Sequence, residues 1–158
     1  MPKPASALTL ILSAMPSEIR LIQAHLKQRK TGRLDCFPYV TGVLRGRRVV
    51  TAVTGVGVTN GAMVTALFIE KFHPTEVLVS GTGSRLNPRL RTGDTVISTK
   101  TIHHAAGNLT NEGMIYHKVR GPLPGQMTSW FFRPDARLLR LARAAIAGYT
   151  ETLLDGAL

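Results

Sequence analysis

One cysteine, Cys36, stands in a chain of 158 residues, so no intramolecular disulfide and no multi-cysteine zinc cluster can be built from it. Cys36 has no His/Asp activating pair visible beside it and reads as an ordinary thiol. Long apolar runs are missing too: none approaches the roughly 18 residues of a membrane span. The lead Met1-Pro-Lys-Pro-Ala is too short for a persuasive secretory signal, and a cytoplasmic protein without a membrane partner is expected. Acidic residues are few, nine Asp and Glu against twenty Lys and Arg, a formal charge of +11. Such an imbalance attracts nucleic acid, anionic lipid and phosphorylated small molecules with little discrimination. The basic clusters, Arg20 to Arg48 and Arg133 to Arg143, carry neither zinc-finger spacing nor RNA-recognition aromatics. No specific nucleic acid is therefore expected, although a basic, non-catalytic interaction or nucleic-acid-binding protein stays as an alternative.

What is present is enough for one globular domain, since 44% of residues are hydrophobic and 18% charged. LTLILS, Leu8 to Ser13, reads as a buried first strand. MPSEIRLIQAHLKQ follows as a helix with Ile19, Ile22 and Leu26 near one face. FPYVTGVLRGRRVVTAVTG predicts two strands joined near Arg45-Gly46, and Asn60 to Phe72 predicts a helix stopped before His73-Pro74. EVLVS, Glu76 to Ser80, and DTVISTKTIHH, Asp94 to His104, read as further strands. Ala105 to Trp130 is polar and turn-rich, and RPDARLLRLARAAIAG is a helix with Leu138, Leu139, Leu141 and Ala145 on an apolar surface. Alternating strands and helices imply an α/β class with a mostly parallel sheet, whose ligands bind beyond the C-terminal strand ends. YTETLLDGAL, Tyr149 to Leu158, reads as the start of another strand or crossover, so the 158 residues are expected to form a single, partial domain.

TGVGVTNG, Thr54 to Gly61, lies between a strand pattern and a helix pattern. Asn60 occupies the third glycine position of a dinucleotide fingerprint, and no Lys-Ser/Thr ending makes it a phosphate loop. Thr54, Gly55 and Gly57 are left as pocket-wall or turn residues. His103 and His104 point to opposite faces if they sit on a strand, which argues against a shared metal, and no metal site is expected.

Three islands read together carry more: LSAMPSEIRLI, TAVTGVGVTNGAMVTALFIEKFHP and EVLVSGTGSRLNPRLRTGDTVISTKTIHH. Their order and spacing resemble the purine nucleoside phosphorylase and 5'-methylthioadenosine/S-adenosylhomocysteine nucleosidase superfamily, on its nucleosidase-like side. The resemblance implies an incomplete phosphorylase/hydrolase-like fold, a doubly wound mixed sheet flanked by helices. It also implies a purine nucleoside ligand, cleavage of its N-glycosidic bond, no cofactor and a homodimer. A phosphate-dependent phosphorylase is the alternative within the superfamily. Glu18, ending AMPSE, matches the family's AM-x-x-E segment, whose glutamate helps position the hydrolytic water; a first-turn glutamate that only favours the helix dipole is the competing reading. Thr82, Gly83 and Ser84 fall on the family loop around ribose and base, with Ser84 and Arg85 at its usual Gly-Gly positions. The family's purine-contacting aspartate and its methionine-glutamate segment have no counterpart within these residues, so little or no activity of this chain alone is an open expectation.

Overall fold

The computed structural model of the protein describes residues 7–121, 123 and 129–147. The strand expected over residues 149–158 lies outside the described residues. The chain forms two compact units that divide between Ser84 and Arg85.

The first unit begins with β1 (Leu8–Ser13), α1 (Pro16–Ala24), β2 (Lys27–Leu34), β3 (Phe37–Leu44) and β4 (Arg47–Val53). It closes with α2 (Val58–Phe72) and β5 (Glu76–Val79). The strands lie in the order β2-β3-β4-β1-β5. β1 runs parallel to β4 and β5, and β3 antiparallel to β2 and β4, so the sheet is mixed. Side chains alternate across a strand, which sends Leu10 and Leu12 of β1 to one face and Ile11 to the other. On the first face they meet Val50, Ala52 and the α2 residues Val64 and Phe68; on the second Ile11 joins Leu26, Val40 and Val49, with Ile22 of α1 packed against them. Helices thus cover both faces, as a doubly wound sheet requires. Complete burial of Leu10, Val64 and Phe68 contributes about 1.5–3 kcal/mol apiece.

Two differences from the sequence pattern have physical causes. The helix expected to reach Gln28 ends at Ala24, where the His25 amide bonds back to Ile22 and Gln23, and the next residues become β2. β2, KQRKTGRL, is a mostly exposed edge strand; its cations suit an unpaired edge and erase the alternation that marks a half-buried strand. Leu26 is still buried, but from the connection rather than the helix. β3 and β4 are joined as expected at Arg45 (φ 46) and Gly46 (φ 83), the pair of positive φ angles a tight hairpin demands. His73 (φ 45) caps α2 in the left-handed conformation, its amide bonded to Ile69.

The second unit holds a short hairpin, β6 (Gly107–Thr110) and β7 (Gly113–Tyr116), and α3 (Ala136–Ala147). The hairpin lies in the stretch whose polar, turn-rich sequence shows no strand pattern. Asp135 starts α3 by accepting the Leu138 amide at 2.9 Å through Oδ1. The strand expected over Asp94 to His104 does not form: Thr101 alone pairs, in an isolated bridge with Phe132. An apolar alternation becomes a strand only with a neighbouring edge to complete its ladder, and here that neighbour is a single residue. Asp94 instead closes a turn, accepting the Arg91 amide at 2.8 Å. No helix among the described residues is long and apolar enough to cross a membrane.

Candidate active site

Proline at the first position of α1 sets the local geometry. The residue before a proline is driven to extended backbone, and Met15 is extended at φ −125, ψ 151. Three residues on, Glu18 turns its carboxylate back over the helix start, where Oε2 accepts the Met15 amide at 2.8 Å. This is half of a capping box, and it ties the glutamate to a helix end whose dipole favours a negative charge.

The other carboxylate oxygen is held from a different part of the chain. β5 continues the ladder past its end, with the Ser80 amide donating to the Leu12 carbonyl at 3.0 Å, so the following residues pass over the start of α1. Gly81 runs so close that a Cβ there would lie 3.4 Å from Glu18 Oε1. Next to it Thr82 donates twice to that oxygen, from its amide at 2.8 Å and its hydroxyl at 2.7 Å. The hydroxyl bond of Thr82, then its amide, then the Met15 amide hold the Glu18 carboxyl below its ordinary value near 4.5; the Ala14 backbone adds a smaller push and desolvation a small opposing one. Glu18 is therefore a carboxylate at neutral pH. A carboxylate offers about four lone-pair sites, and these three donors leave one on Oε2 for a further donor.

Thr54 stands at the end of β4, its amide bonded to the Ser13 carbonyl at 2.8 Å and its hydroxyl to the Gly55 carbonyl at 2.9 Å. Gly55 (φ 82) and Gly57 (φ 102) then turn the strand into α2, and Asn60 Nδ2 closes the loop onto the Val56 carbonyl at 2.8 Å. The glycines of TGVGVTNG thus occupy backbone conformations that favour glycine, and Asn60 is the clamp of the turn. Ser13, at the end of β1, keeps a buried hydroxyl without a hydrogen-bond partner among the described residues.

Of the residues singled out in sequence, Glu18 and Thr82 are brought together directly. Gly83 and Ser84 follow Thr82 on the same exposed loop, without a described hydrogen bond to Glu18. Thr54, Gly55 and Gly57 form the turn after β4. The Thr82 hydroxyl spends its proton on Glu18 and keeps acceptor lone pairs. Arg85 donates from Nη1 to the Leu90 carbonyl at 3.3 Å. His103 and His104 lie outside any strand, so strand alternation does not separate them; among the described residues no three His, Cys, Asp or Glu side chains gather. The Met15 amide as a partner of Glu18 was not singled out, although Pro16 followed by a glutamate at the third helical position was its signal.

Residues 9–156 match the sequence profile of the Phosphorylase superfamily. The chain belongs to that superfamily. Within the superfamily it is similar to nucleosidases: the 5'-methylthioadenosine/S-adenosylhomocysteine nucleosidase of Bacillus cereus (strain B4264) is 32% identical over 132 residues, 84% of this chain and 54% of the relative. The nucleosidase of that name from Neisseria meningitidis, solved in complex with methylthio-immucillin-A, superposes with a TM-score of 0.74 at 30% identity, over 89% of this chain and 58% of that one. The corresponding protein of Colwellia psychrerythraea 34H, solved in complex with adenine, gives 0.76 at 26% identity, over 90% and 56%. The chain thus spans about half the length of the curated relatives it matches, 54% of the first.

Proposed function

We propose that this superfamily member carries the ribose-facing part of a purine nucleosidase site, for hydrolysis of 5'-methylthioadenosine or S-adenosylhomocysteine. The observation that supports this best is the Glu18 carboxylate, fixed by Met15 and Thr82 beyond the C-terminal ends of β1 and β5, with one acceptor site left on Oε2. In hydrolysis a water oxygen bonds to C1' of ribose while the C1'–N9 bond breaks and its electron pair leaves with the purine. Positive charge develops on the sugar as that bond lengthens, and a fixed carboxylate stabilises it more in the transition state than before it. Glu18 orients the water through its remaining lone pair and accepts its proton; with a pKa held low, it contributes more by position than by basicity. Thr82 Oγ accepts from a ribose hydroxyl while donating to Glu18. The backbones of Gly83 and Ser84 border ribose and base, and Thr54, Gly55 and Gly57 form the wall and turn behind them. Protonation of the purine belongs to the C-terminal half of such an enzyme, so residues 1–158 act as one partial domain. The proposal includes a homodimer in the cytoplasm.

Incubating the purified chain with methylthioadenosine or S-adenosylhomocysteine and measuring both ligand binding and free adenine tests this reading. Binding is expected, and whatever adenine is released is released without phosphate, with Glu18→Gln lowering that release by roughly 10²-fold or more. Absence of both binding and release, or formation of ribose phosphate only when phosphate is added, would overturn it.

A further inference from the structure

Trp130, Phe131 and Phe132 are consecutive in the second unit and are 38%, 50% and 47% exposed. Single exposed aromatics are ordinary; three together on a fixed backbone mark an interaction surface. Both ends of the segment are pinned. Ser129 exchanges two backbone bonds with Val119, at 2.9 and 3.0 Å, and Phe132 exchanges two with Thr101, both at 2.9 Å. Between these bridges the Ser129 hydroxyl accepts the Phe131 amide at 3.1 Å and donates to the Phe131 carbonyl at 2.6 Å, and the chain bends at Trp130. Hydrogen bonds therefore hold the bend, and the rings are spared for other contacts. Among the described residues these three rings pair with no other ring.

The chain around the bend is cationic. The Lys100 ammonium stands 5.2 Å from the centroid of the Phe131 ring, Lys118 and Arg120 flank Val119, and Arg133 follows Phe132; all four side chains are exposed. Between Asp94 and Asp135 the sequence has one acidic residue, Glu112, which lies in the turn of the β6–β7 hairpin. Asp135 itself is committed to the Leu138 amide at the start of α3. Exposed flat rings among cations match a polymer whose repeating unit carries one flat ring and one negative charge. A duplex keeps its base faces stacked inside and offers only backbone charge to such a surface.

We propose that this bend is a stacking platform for single-stranded nucleic acid, bound without sequence preference and independently of the nucleosidase reading. Bases stack on Trp130 and Phe132, and phosphates are met by Lys118, Arg120 and Arg133. Lys100 adds a charge that its contact with Phe131 keeps in place. The segment matches no RNA-recognition motif, and stacking requires none, because every base has a flat face.

The probes are an oligodeoxythymidylate and an oligouridylate of about twelve nucleotides, within the length that one small binding surface covers. Neither contains a purine for the Glu18 site. Trp130 is the single tryptophan of the chain, so its fluorescence reports the platform directly. Titration of the full chain at about 50 mM salt is expected to quench that fluorescence with a dissociation constant below about 100 μM, and about 200 mM salt weakens binding roughly tenfold or more. Phe132→Ala and Phe132→Leu each weaken binding of a labelled oligonucleotide, read by anisotropy, at least about fivefold, since leucine restores apolar bulk without a flat face. Both keep the backbone bridge to Thr101, and circular dichroism checks that they fold. Lys118→Ala lowers the slope of log affinity against log salt by about 0.7, the share of one phosphate contact. Undetectable binding, unchanged affinity in Phe132→Leu, or equal affinity for a duplex of the same length each overturns the proposal. So does quenching by inorganic polyphosphate as strong as by the oligonucleotides, or Trp130 emission that shifts with protein concentration alone, as rings covered by a second copy would give.

Discussion

Glu18 and Thr82, 64 residues apart in the chain, meet at a single atom: Oε1 of the glutamate accepts both the amide and the hydroxyl of the threonine, at 2.8 and 2.7 Å. The contact joins the first turn of α1 to the loop after β5, so it fastens the two neighbouring strand ends over which the proposed site is built. It also explains the charge of the site, because hydrogen bonds to the ionised form are what hold the carboxyl low.

The pH dependence follows in sign. A carboxyl whose folded-state pKa lies below its unfolded value contributes stability that is present above the ordinary value near 4.5 and is lost as the pH falls through the lower folded value. Thr82→Val removes the hydroxyl bond, the largest of the causes, and keeps the amide. Its Glu18 carboxyl is expected to titrate at higher pH than in the parent, followed by carbon-13 NMR of the side chain. An unchanged titration would show that the amide bonds alone set the value.

How far the sequence revealed this arrangement differs from element to element. β1 was legible as a continuous apolar run buried on both faces, β3, β4 and α2 by apolar residues that reach the core, and β5 as a short apolar run even though Leu78 and Val79 are exposed; the C-terminal strand ends pointed to the loops that carry Thr54 and Thr82. β2 was hidden because an edge strand needs no alternation, and its lysines and arginines read equally well as a solvated helix face. Asp94 to His104 erred the other way, with a strand-like pattern and no ladder partner beyond one bridge at Thr101. Within the site, sequence spacing marked Glu18 and Thr82 separately. Their shared oxygen depends on parallel pairing of β1 with β5, a long-range register that no local pattern encodes.

Gly32 of the edge strand is required by its cross-strand partner. It pairs with Tyr39, and a Cβ at this glycine would run into the tyrosine ring. That ring stands edge-on to Phe68 and Phe72, with centroids 6.0 and 5.0 Å away. Gly32→Val forces the ring off this arrangement and is expected to cost about 1–3 kcal/mol, the range for overpacking. Urea unfolding with and without Tyr39→Ala checks it: if the penalty persists in the Tyr39→Ala background, the ring is not the cause.

A second bond network ties three strands at the opposite end. Glu76 of β5, with its side chain 9% exposed, accepts the Thr9 hydroxyl of β1 at 2.7 Å and the Arg47 guanidinium of β4 at 3.2 Å. Arg47 is 58% exposed, so its ion pair is worth only about 0–1 kcal/mol. Thr9 is buried, and Thr9→Val withdraws a donor from a carboxylate that has little access to water, at a cost of about 1–3 kcal/mol. Denaturant midpoints are therefore expected to fall further for Thr9→Val than for Arg47→Ala; the reverse order would make the ion pair the stronger tie.

The turn at Thr54 to Gly61 gives the sharpest separation of backbone from side-chain effects. Gly57 has φ 102 and ψ 149, a region almost confined to glycine, yet open space surrounds the position where a Cβ would stand. Gly55 has φ 82, and a Cβ there would come 3.3 Å from Asn60 Nδ2, the group that clamps the loop onto Val56. Gly57→Ala thus reports strain alone, expected at about 1–3 kcal/mol. Gly55→Ala adds crowding of the clamp to a left-handed penalty of about 1–2 kcal/mol. Asn60→Ala removes the clamp and with it the crowding, so the cost of Gly55→Ala measured in that background is expected to shrink, while the cost of Gly57→Ala stays the same. The two double-mutant cycles are read from thermal unfolding of the parent, the three single variants and the two double variants. Equal coupling of both glycines to Asn60 would mean that the clamp shapes the whole loop, and that strain at Gly57 is not an independent property of the strand-to-helix turn.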